Sequence, residues 1–319
     1  MKSGPIRIGA RGSRLSQVQA RQIQAEITRL LGADPSQADE AAPIVLITTT
    51  GDRVQDRRLL EIGGKALFTK EIEEALLEGR IDCAVHCLKD MPAVSPDGLV
   101  TAAHPEREDP RDALISPLAR RIEDLPQGAR LGTASLRRQA QALHIRPDLQ
   151  VGLLRGNVDT RLAKLDQGEH DAIMLAYAGL RRLGLADRAS GLIDPLTAPP
   201  APGQAALTIQ TRAADAGHPA FVGLHHEETG IAVAAERGAL EALEGSCKTA
   251  VGAFAQIADG GLSLIVEALT PDGAQRWRRH GSLLLASDPK QAQADAFALG
   301  RELGYAVRKD GGAALQLGD

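Results

Sequence analysis

Short apolar runs of strand length alternate with segments of helical spacing over most of this chain, and that alternation leaves few architectures open. Residues 5 to 10 read as a strand, and from Ser13 the apolar positions Leu15, Val18, Ile23, Ile27 and Leu30 recur as they do on one face of a helix. A second strand over about 43 to 49 runs into the polar stretch TGDRVQDRRLLEIGGK, long enough to be a mobile lid. A helix over about 68 to 79 follows, closed by Gly79. A third strand, IDCAVHC at 81 to 87, leads into LKDMP, where Pro92 stops regular structure. After residue 110 the pattern restarts, with strands near 112 to 115, 130 to 133, 149 to 154 and 171 to 176 and with helices from Ser135 and Asn157. The expectation is two α/β domains whose strand-end loops line a cleft.

At 319 residues the chain is too long for one ordinary core. The run PLTAPPAPGQ at 195 to 204 is the clearest boundary signal, and the strand ALTIQT after it is placed back in the first domain. Beyond 224 the order changes to a helix at about 228 to 243, three short strands and a final helix, a smaller α+β domain. The expected division is 1–105 with 203–222, then 106–202, then 223–319.

The ends of strands, where helices begin, hold the basic and hydroxyl side chains. RGS sets Arg11 and Ser13 beside one helix start, GTASLRRQ sets Thr133, Ser135, Arg137 and Arg138 at another, and LRGNVDTRL brings Arg155 and Arg161 to a third. Helix starts present unpaired N–H groups and a positive dipole end, and guanidinium forks bind carboxylates bidentately, so the expected ligand carries several negative groups. Arg120 with Arg121, and Arg276 with Arg278 and Arg279, read as solvated helix faces. In HCLKDMP, Lys89 and Asp90 follow a buried-type strand, where a carboxylate points into the catalytic region of an α/β sheet. Cys247, in LEGSCKTAVG, follows Gly245 on an expected turn.

Other patterns carry less. GGK at 63 to 65 lacks the flanking residues of a P-loop, since Leu59 and Ala66 stand there. Strand alternation sends His86 to the opposite face from Cys83 and Cys87, so no metal site is expected. HHEE at 225 to 228 reads as an ordinary helix start. A formal charge of −4 and 2% aromatic residues offer nucleic acid neither a field nor a stacking surface. No signal-peptide core and no run of about 18 apolar residues occurs, and three cysteines cannot all pair, so a cytoplasmic protein without a membrane partner is expected.

Taken together, RGSRLSQVQA, GGKALFTKEIEEALLEG, AVHCLKDMP, EREDPRDAL, GTASLRRQ, LRGNVDTRLAKL, AYAGLRRLG and LEGSCKTAVG resemble the porphobilinogen deaminase (hydroxymethylbilane synthase) family, in family order over nearly the whole chain. The resemblance implies two periplasmic-binding-protein-like α/β domains around a cleft, plus a smaller α+β C-terminal domain bearing the cofactor cysteine. It implies a dipyrromethane linked covalently to Cys247, which primes the addition of four porphobilinogens. By position, Lys89, Thr133, Ser135, Arg137, Arg138 and Arg161 hold the primer's carboxylates, and Arg11, Ser13, Gln19, Lys65, Phe68, Arg155 and Arg182 meet the incoming substrate. Asp90 matches the catalytic aspartate, expected to stabilise the cationic azafulvene left when ammonia departs and to relay protons.

Several positions depart from the familiar pattern. Glu61 stands for Lys, Ala134 for a hydroxyl residue, Cys87 for Ser, and Ala66 and Ala205 for Gly, with one further residue in HHEETG. The resemblance also carries the expectation of a monomer. The leading rival is a two-lobed dicarboxylate-binding module without catalysis, followed by an inactive relative that binds pyrroles.

Overall fold

The computed structural model describes residues 4–53, 68–92, 94–243 and 250–315. Two compact units result, Met1–Glu108 with Ala206–Gly230, and Asp109–Ala205 with Ile231–Asp319. Their strands, in chain order, begin with β1 (Ile8–Arg11), β2 (Ile44–Ile47), β3 (Cys83–Cys87), β4 (Leu99–Ala103), β5 (Asp112–Ile115) and β6 (Arg130–Gly132). They continue with β7 (Gln150–Gly152), β8 (Ala172–Ala176), β9 (Gly191–Leu192), β10 (Leu207–Arg212), β11 (Ala250–Ala258), β12 (Gly261–Leu269) and β13 (Arg276–Leu284).

The first unit is built on a five-stranded sheet of order β2-β1-β3-β10-β4. β2, β1 and β3 are parallel, while β10 runs antiparallel to both of its neighbours. Helix Arg14–Leu30 starts at Ser13, whose hydroxyl caps it by accepting the Ser16 N–H at 3.3 Å. Its apolar stripe, Ala20, Ile23 and Ile27, packs with Ile8, Val85, Leu207, Ile209 and Phe221 on one face of the sheet. The other face is covered by helix Lys70–Leu77, which buries Ile72, Ala75 and Leu76 against Ile47, Ala84 and Leu99. That helix is shorter than the 68 to 79 expected, because the chain turns out of it to reach Gly79 at φ +71°. Most of the stretch expected to form a lid, 54–67, lies outside the described residues, with Thr50–Arg53 helical before it.

The second unit repeats the plan with a sheet of order β7-β6-β8-β5-β9. β7, β6 and β8 are parallel and lead into helices Val158–Asp166, Leu136–Ile145 and Tyr177–Arg182. β7 stops at Gly152, short of the 154 expected, as the chain swings through Gly156 at φ +112° to the Asn157 cap. β4 and β9 were not legible as strands, since Thr101 dilutes the apolar run of one and the other spans two residues.

The last sheet is an antiparallel meander, β11-β12-β13. Its strands are nine residues each rather than short, because Asp259 and Gly260, at φ +50° and +72°, form a tight turn that lets pairing run to the strand ends. Helix Pro289–Gly311 lies on this sheet and meets helix Glu227–Ala242 backbone to backbone. A Cβ on Gly300 would stand 1.9 Å from the Ala235 carbonyl oxygen, so only glycine permits that approach. Arg276, Arg278 and Arg279 belong to β13 and not to a helix. Arg278 is no solvated charge, since its Nε donates to the buried Glu267 carboxylate at 2.9 Å and its Nη1 to the Leu196 carbonyl at 2.6 Å. No helix among the described residues is long and apolar enough to cross a membrane.

Ala205, one of the departures from Gly, sits at φ +72°, a left-handed conformation that crowds its Cβ. Ala205→Gly is expected to raise stability by about 0.5–1 kcal/mol, the left-handed strain relieved less the added backbone entropy of Gly. Urea melts of the two proteins check the sign.

Candidate active site

In the first unit the expected residues gather at the carboxyl ends of β1 and β3. Arg11 closes β1, and its guanidinium carbon lies 4.2 Å from the centre of the Phe68 ring, a cation–π contact. The Phe68 ring in turn lies flush on Gly51, where an added Cβ would come within 2.3 Å of it. The chain leaves β3 through the 3-10 turn Leu88–Asp90, with the Leu88 N–H held by the Ala206 carbonyl at 3.0 Å. Lys89 and Asp90 are both half-buried there. Gln19, buried on helix Arg14–Leu30, donates through Nε2 to the Cys87 Sγ at 3.1 Å. The Ser13 hydroxyl is engaged by its helix cap. Lys65 and Glu61 lie outside the described residues, as does Cys247.

Alternation along β3 puts Cys83 and Val85 on the face toward helix Arg14–Leu30, and Ala84 with His86 on the opposite face. Burial pushes the Cys83 thiol well above its ordinary range, with Asp82 adding to the effect, so this sulfur is a structural thiol and not a nucleophile. Burial lowers His86 to about 4, against the Gln210 side chain and the Asp90 carboxylate, which favour its charged form. His86 is therefore a neutral ring at physiological pH. It was read above only as a discarded zinc ligand.

In the second unit Thr133 and Ser135, Arg155 and Arg161, and Arg182 follow three adjacent parallel strands, β6, β7 and β8. The Thr133 hydroxyl accepts the Ser135 N–H at 3.1 Å, and Ser135 caps helix Leu136–Ile145 by accepting the Arg138 N–H at 3.4 Å. Arg161 donates through Nε to the Gly156 carbonyl at 2.8 Å, and Arg182 through Nη2 to the Ala205 carbonyl at 2.8 Å. Arg155 buries an Nη1 that has no hydrogen-bond partner among the described residues.

Arg137 and Arg138 are interior rather than open to the surface, 5% and 6% exposed. Both are bound to Asp112, which the motif search did not single out. Arg137 donates through Nη1 to Asp112 Oδ2 at 2.7 Å, and Arg138 donates through Nη2 to Oδ1 at 2.8 Å. Gln204 adds a third donor to Asp112 Oδ1 at 2.8 Å. Burial alone would raise the Asp112 carboxyl, but the two guanidiniums hold it far below the usual carboxylate range. Burial pulls Arg137 down against the same ion pair; a guanidinium starts above 12 and so remains charged. The signal was present in EREDPRDAL, since a carboxylate opening an apolar strand demands a buried cation. One carboxylate facing two guanidiniums leaves an excess of positive charge, and Arg137 Nε is buried without a partner among the described residues.

Fold and site together define an α/β protein with cationic strand ends suited to a ligand bearing carboxylates. A family model described as the porphobilinogen deaminase dipyromethane cofactor binding domain matches residues 6–218, and the porphobilinogen deaminase C-terminal domain matches 231–308. A porphobilinogen deaminase of Caulobacter sp. (strain K31) is 64% identical over 318 residues, 99% of each chain. One from Phenylobacterium zucineum (strain HLK1) is 61% identical over 317 residues, 98% of each chain. Among solved structures, the methionine binding protein MetQ aligns with a TM-score of 0.43 at 14% identity, covering 70% of this chain and 91% of that one. The chain belongs to the porphobilinogen deaminase family, a family of transferases.

Asp112→Ala is expected to destabilise the protein by about 3–5 kcal/mol, because it strands two buried guanidiniums. The native carboxyl is depressed, so its contribution is complete above the unfolded value, about 3.9, and fades as pH falls toward the native one. The stability gap between wild type and variant, followed by urea titration from pH 7 downward, should hold until about pH 4 and then narrow.

Proposed function

We propose that this chain joins four porphobilinogens head to tail, releasing ammonia at each step, on a dipyrromethane primer attached to Cys247, and so forms the linear tetrapyrrole hydroxymethylbilane. The full-length kinship described above carries this reading. The cofactor is dipyrromethane, since the matched domain is the one that binds it. The residues present fit such a group. Each pyrrole bears an acetate and a propionate, and the second unit offers buried guanidinium nitrogens, Arg155 Nη1 and Arg137 Nε, that have no partner among the described residues.

The roles follow from position. Thr133, Ser135, Arg137, Arg138 and Arg161, with Lys89 of the first unit, hold the primer's carboxylates. Arg137 and Arg138 do so partly by the field of their charge, since Asp112, Gln141 and the Pro199 and Met174 carbonyls already take several of their donors. Arg11, Ser13, Gln19, Lys65, Phe68, Arg155 and Arg182 receive the substrate. When bound, the primer supplies a terminal pyrrole with a free α-carbon. Asp90 supplies an ionised carboxylate that holds the substrate's pyrrole N–H, stabilises the positive charge left on the substrate as ammonia departs, and accepts a proton once the new bond forms. Phe68 keeps the Arg11 fork flat and in place for a substrate carboxylate.

We further propose three domains, 1–105 with 203–222, 106–202 and 223–319, supported by one sheet falling in each. The same reading makes the protein a cytoplasmic monomer that engages neither membrane nor nucleic acid, in keeping with its formal charge of −4.

Intact-protein mass spectrometry should give a mass heavier than the sequence by two linked pyrroles, lost in Cys247→Ala. Asp90→Asn should keep that added mass while its single-turnover rate falls by about 10²–10⁴-fold, the range of acid–base assistance. A normal rate in Asp90→Asn would remove the carboxylate from the mechanism. An unmodified wild-type mass, with no pink Ehrlich reaction, would favour a binding module.

A further inference from the structure

We propose that Glu71 is a positioning residue whose carboxylate fixes Thr50 and Gly51 as the seat of the Phe68 ring, and through that ring sets the Arg11 guanidinium for a substrate carboxylate. The inference rests on the reading of Arg11 and Phe68 given above.

Arg11 ends β1 in register with Ile47, the last residue of β2, so the chain leaving β2 starts out beside it. Three residues further on, that chain enters the short helix Thr50–Arg53. Glu71 stands 21 residues beyond Thr50 in sequence, in the first turn of helix Lys70–Leu77. Its Oε1 accepts the Thr50 N–H at 2.8 Å and the Thr50 hydroxyl at 2.5 Å. Two charge-assisted bonds to one residue, one to its main chain and one to its side chain, fix its place and its rotamer together. The carboxylate itself projects from a firm base, because Ile72, Ala75 and Leu76 of the same helix are fully buried.

Gly51, next to Thr50, is buried. Its φ lies outside the left-handed region, so its conformation does not call for glycine, and glycine weakens a helix. The Phe68 ring supplies the reason for it. A Cβ at position 51 would stand 2.3, 2.4 and 2.9 Å from the ring's Cε1, Cδ1 and Cζ, closer than carbon atoms can pack. The same ring carries the Arg11 guanidinium, with 4.2 Å between the guanidinium carbon and the ring centre. Direct contacts therefore run without a gap from Glu71 through Thr50, Gly51 and Phe68 to Arg11, all inside the first unit. Phe68 also adjoins Thr69, the cap of helix Lys70–Leu77, so the carboxylate ties the helix that follows the ring to the helix that seats it. A long guanidinium side chain without that support must lose rotamer freedom when it takes up a ligand, which weakens binding more than it slows the chemistry of what is bound.

The test compares holoenzymes of wild type, Glu71→Ala, Glu71→Gln, Gly51→Ala, Phe68→Ala and the double variant Glu71→Ala with Phe68→Ala. Primer mass, melting temperature, and kcat and KM for porphobilinogen are measured. Glu71→Ala should raise KM by about three- to tenfold while kcat changes less than about twofold. Gly51→Ala, which pushes the ring off its seat, should give the same signature. Glu71→Gln keeps an oxygen acceptor and should hold KM within about twofold of wild type. Adding Glu71→Ala to Phe68→Ala should change KM by less than about twofold, because the carboxylate acts through the ring. A purely structural role would lower the melting temperature of Glu71→Ala and leave KM unchanged, or would give KM effects that multiply in the double variant, and either result overturns the proposal. Should Glu71→Ala fail to fold, Thr50→Val, which removes one of the two bonds, decides in its place: a raised KM supports the inference and a wild-type KM ends it. An unchanged KM in Arg11→Ala would defeat the reading of Arg11 itself. A raised KM in Arg11→Ala beside wild-type values in Glu71→Ala and Gly51→Ala would defeat only the inference.

Discussion

The second unit is organised around one carboxylate shared by two guanidiniums. Asp112 opens an interior strand, and Arg137 and Arg138 reach it from the first turn of the helix that follows β6. Burying such charges is tolerable only when donors and acceptors are matched, and the matching extends well beyond the three. Gln204 closes on Asp112 from beyond the proline-rich run, while Gln141 bridges the Pro199 carbonyl and Glu267. Glu267, interior on β12, holds Arg278 of β13, which also ties down the Leu196 and Thr197 carbonyls. Among the described residues, Arg137, Arg138 and Arg278 are thus joined with Asp112 and Glu267 in one continuous network. The arrangement that fixes these helices and strands includes Arg137 and Arg138, the side chains proposed above to hold the primer's carboxylates.

The first unit follows a different principle at its strand ends. The Arg11 guanidinium stacks on the Phe68 ring, and the imidazole of the neighbouring strand is held without charge. Elsewhere the first unit also shares one carboxylate between two guanidiniums, with Arg7 and Arg212 both meeting Asp82.

Much of this was legible in the sequence because backbone patterning is local. The β/α alternation, the Ser13, Ser135 and Asn157 caps, and the placing of Arg11 and Arg155 at strand ends all follow from residue type within a few positions. What escaped was settled by partners distant in the chain. The interior pairing of Arg137 and Arg138 was not visible because their partner, Asp112, stands 25 and 26 residues away. Arg278 read as solvated because its partner stands 11 residues off across the β12–β13 hairpin. His86 was judged by the neighbours of its own strand, and its burial comes from a strand and a helix remote from it. The purpose of Gly300 is visible only against the facing backbone.

β13 forms one border of the C-terminal sheet, and it is studded with Arg276, Arg278, Arg279 and His280. An uncovered border of this kind offers a row of backbone groups to any passing strand, and Leu284 at its end is 85% exposed. Bulky charged side chains along an edge blunt it toward strand addition, even where Arg278 and Arg279 also hold Glu267 and Asp310 of their own chain.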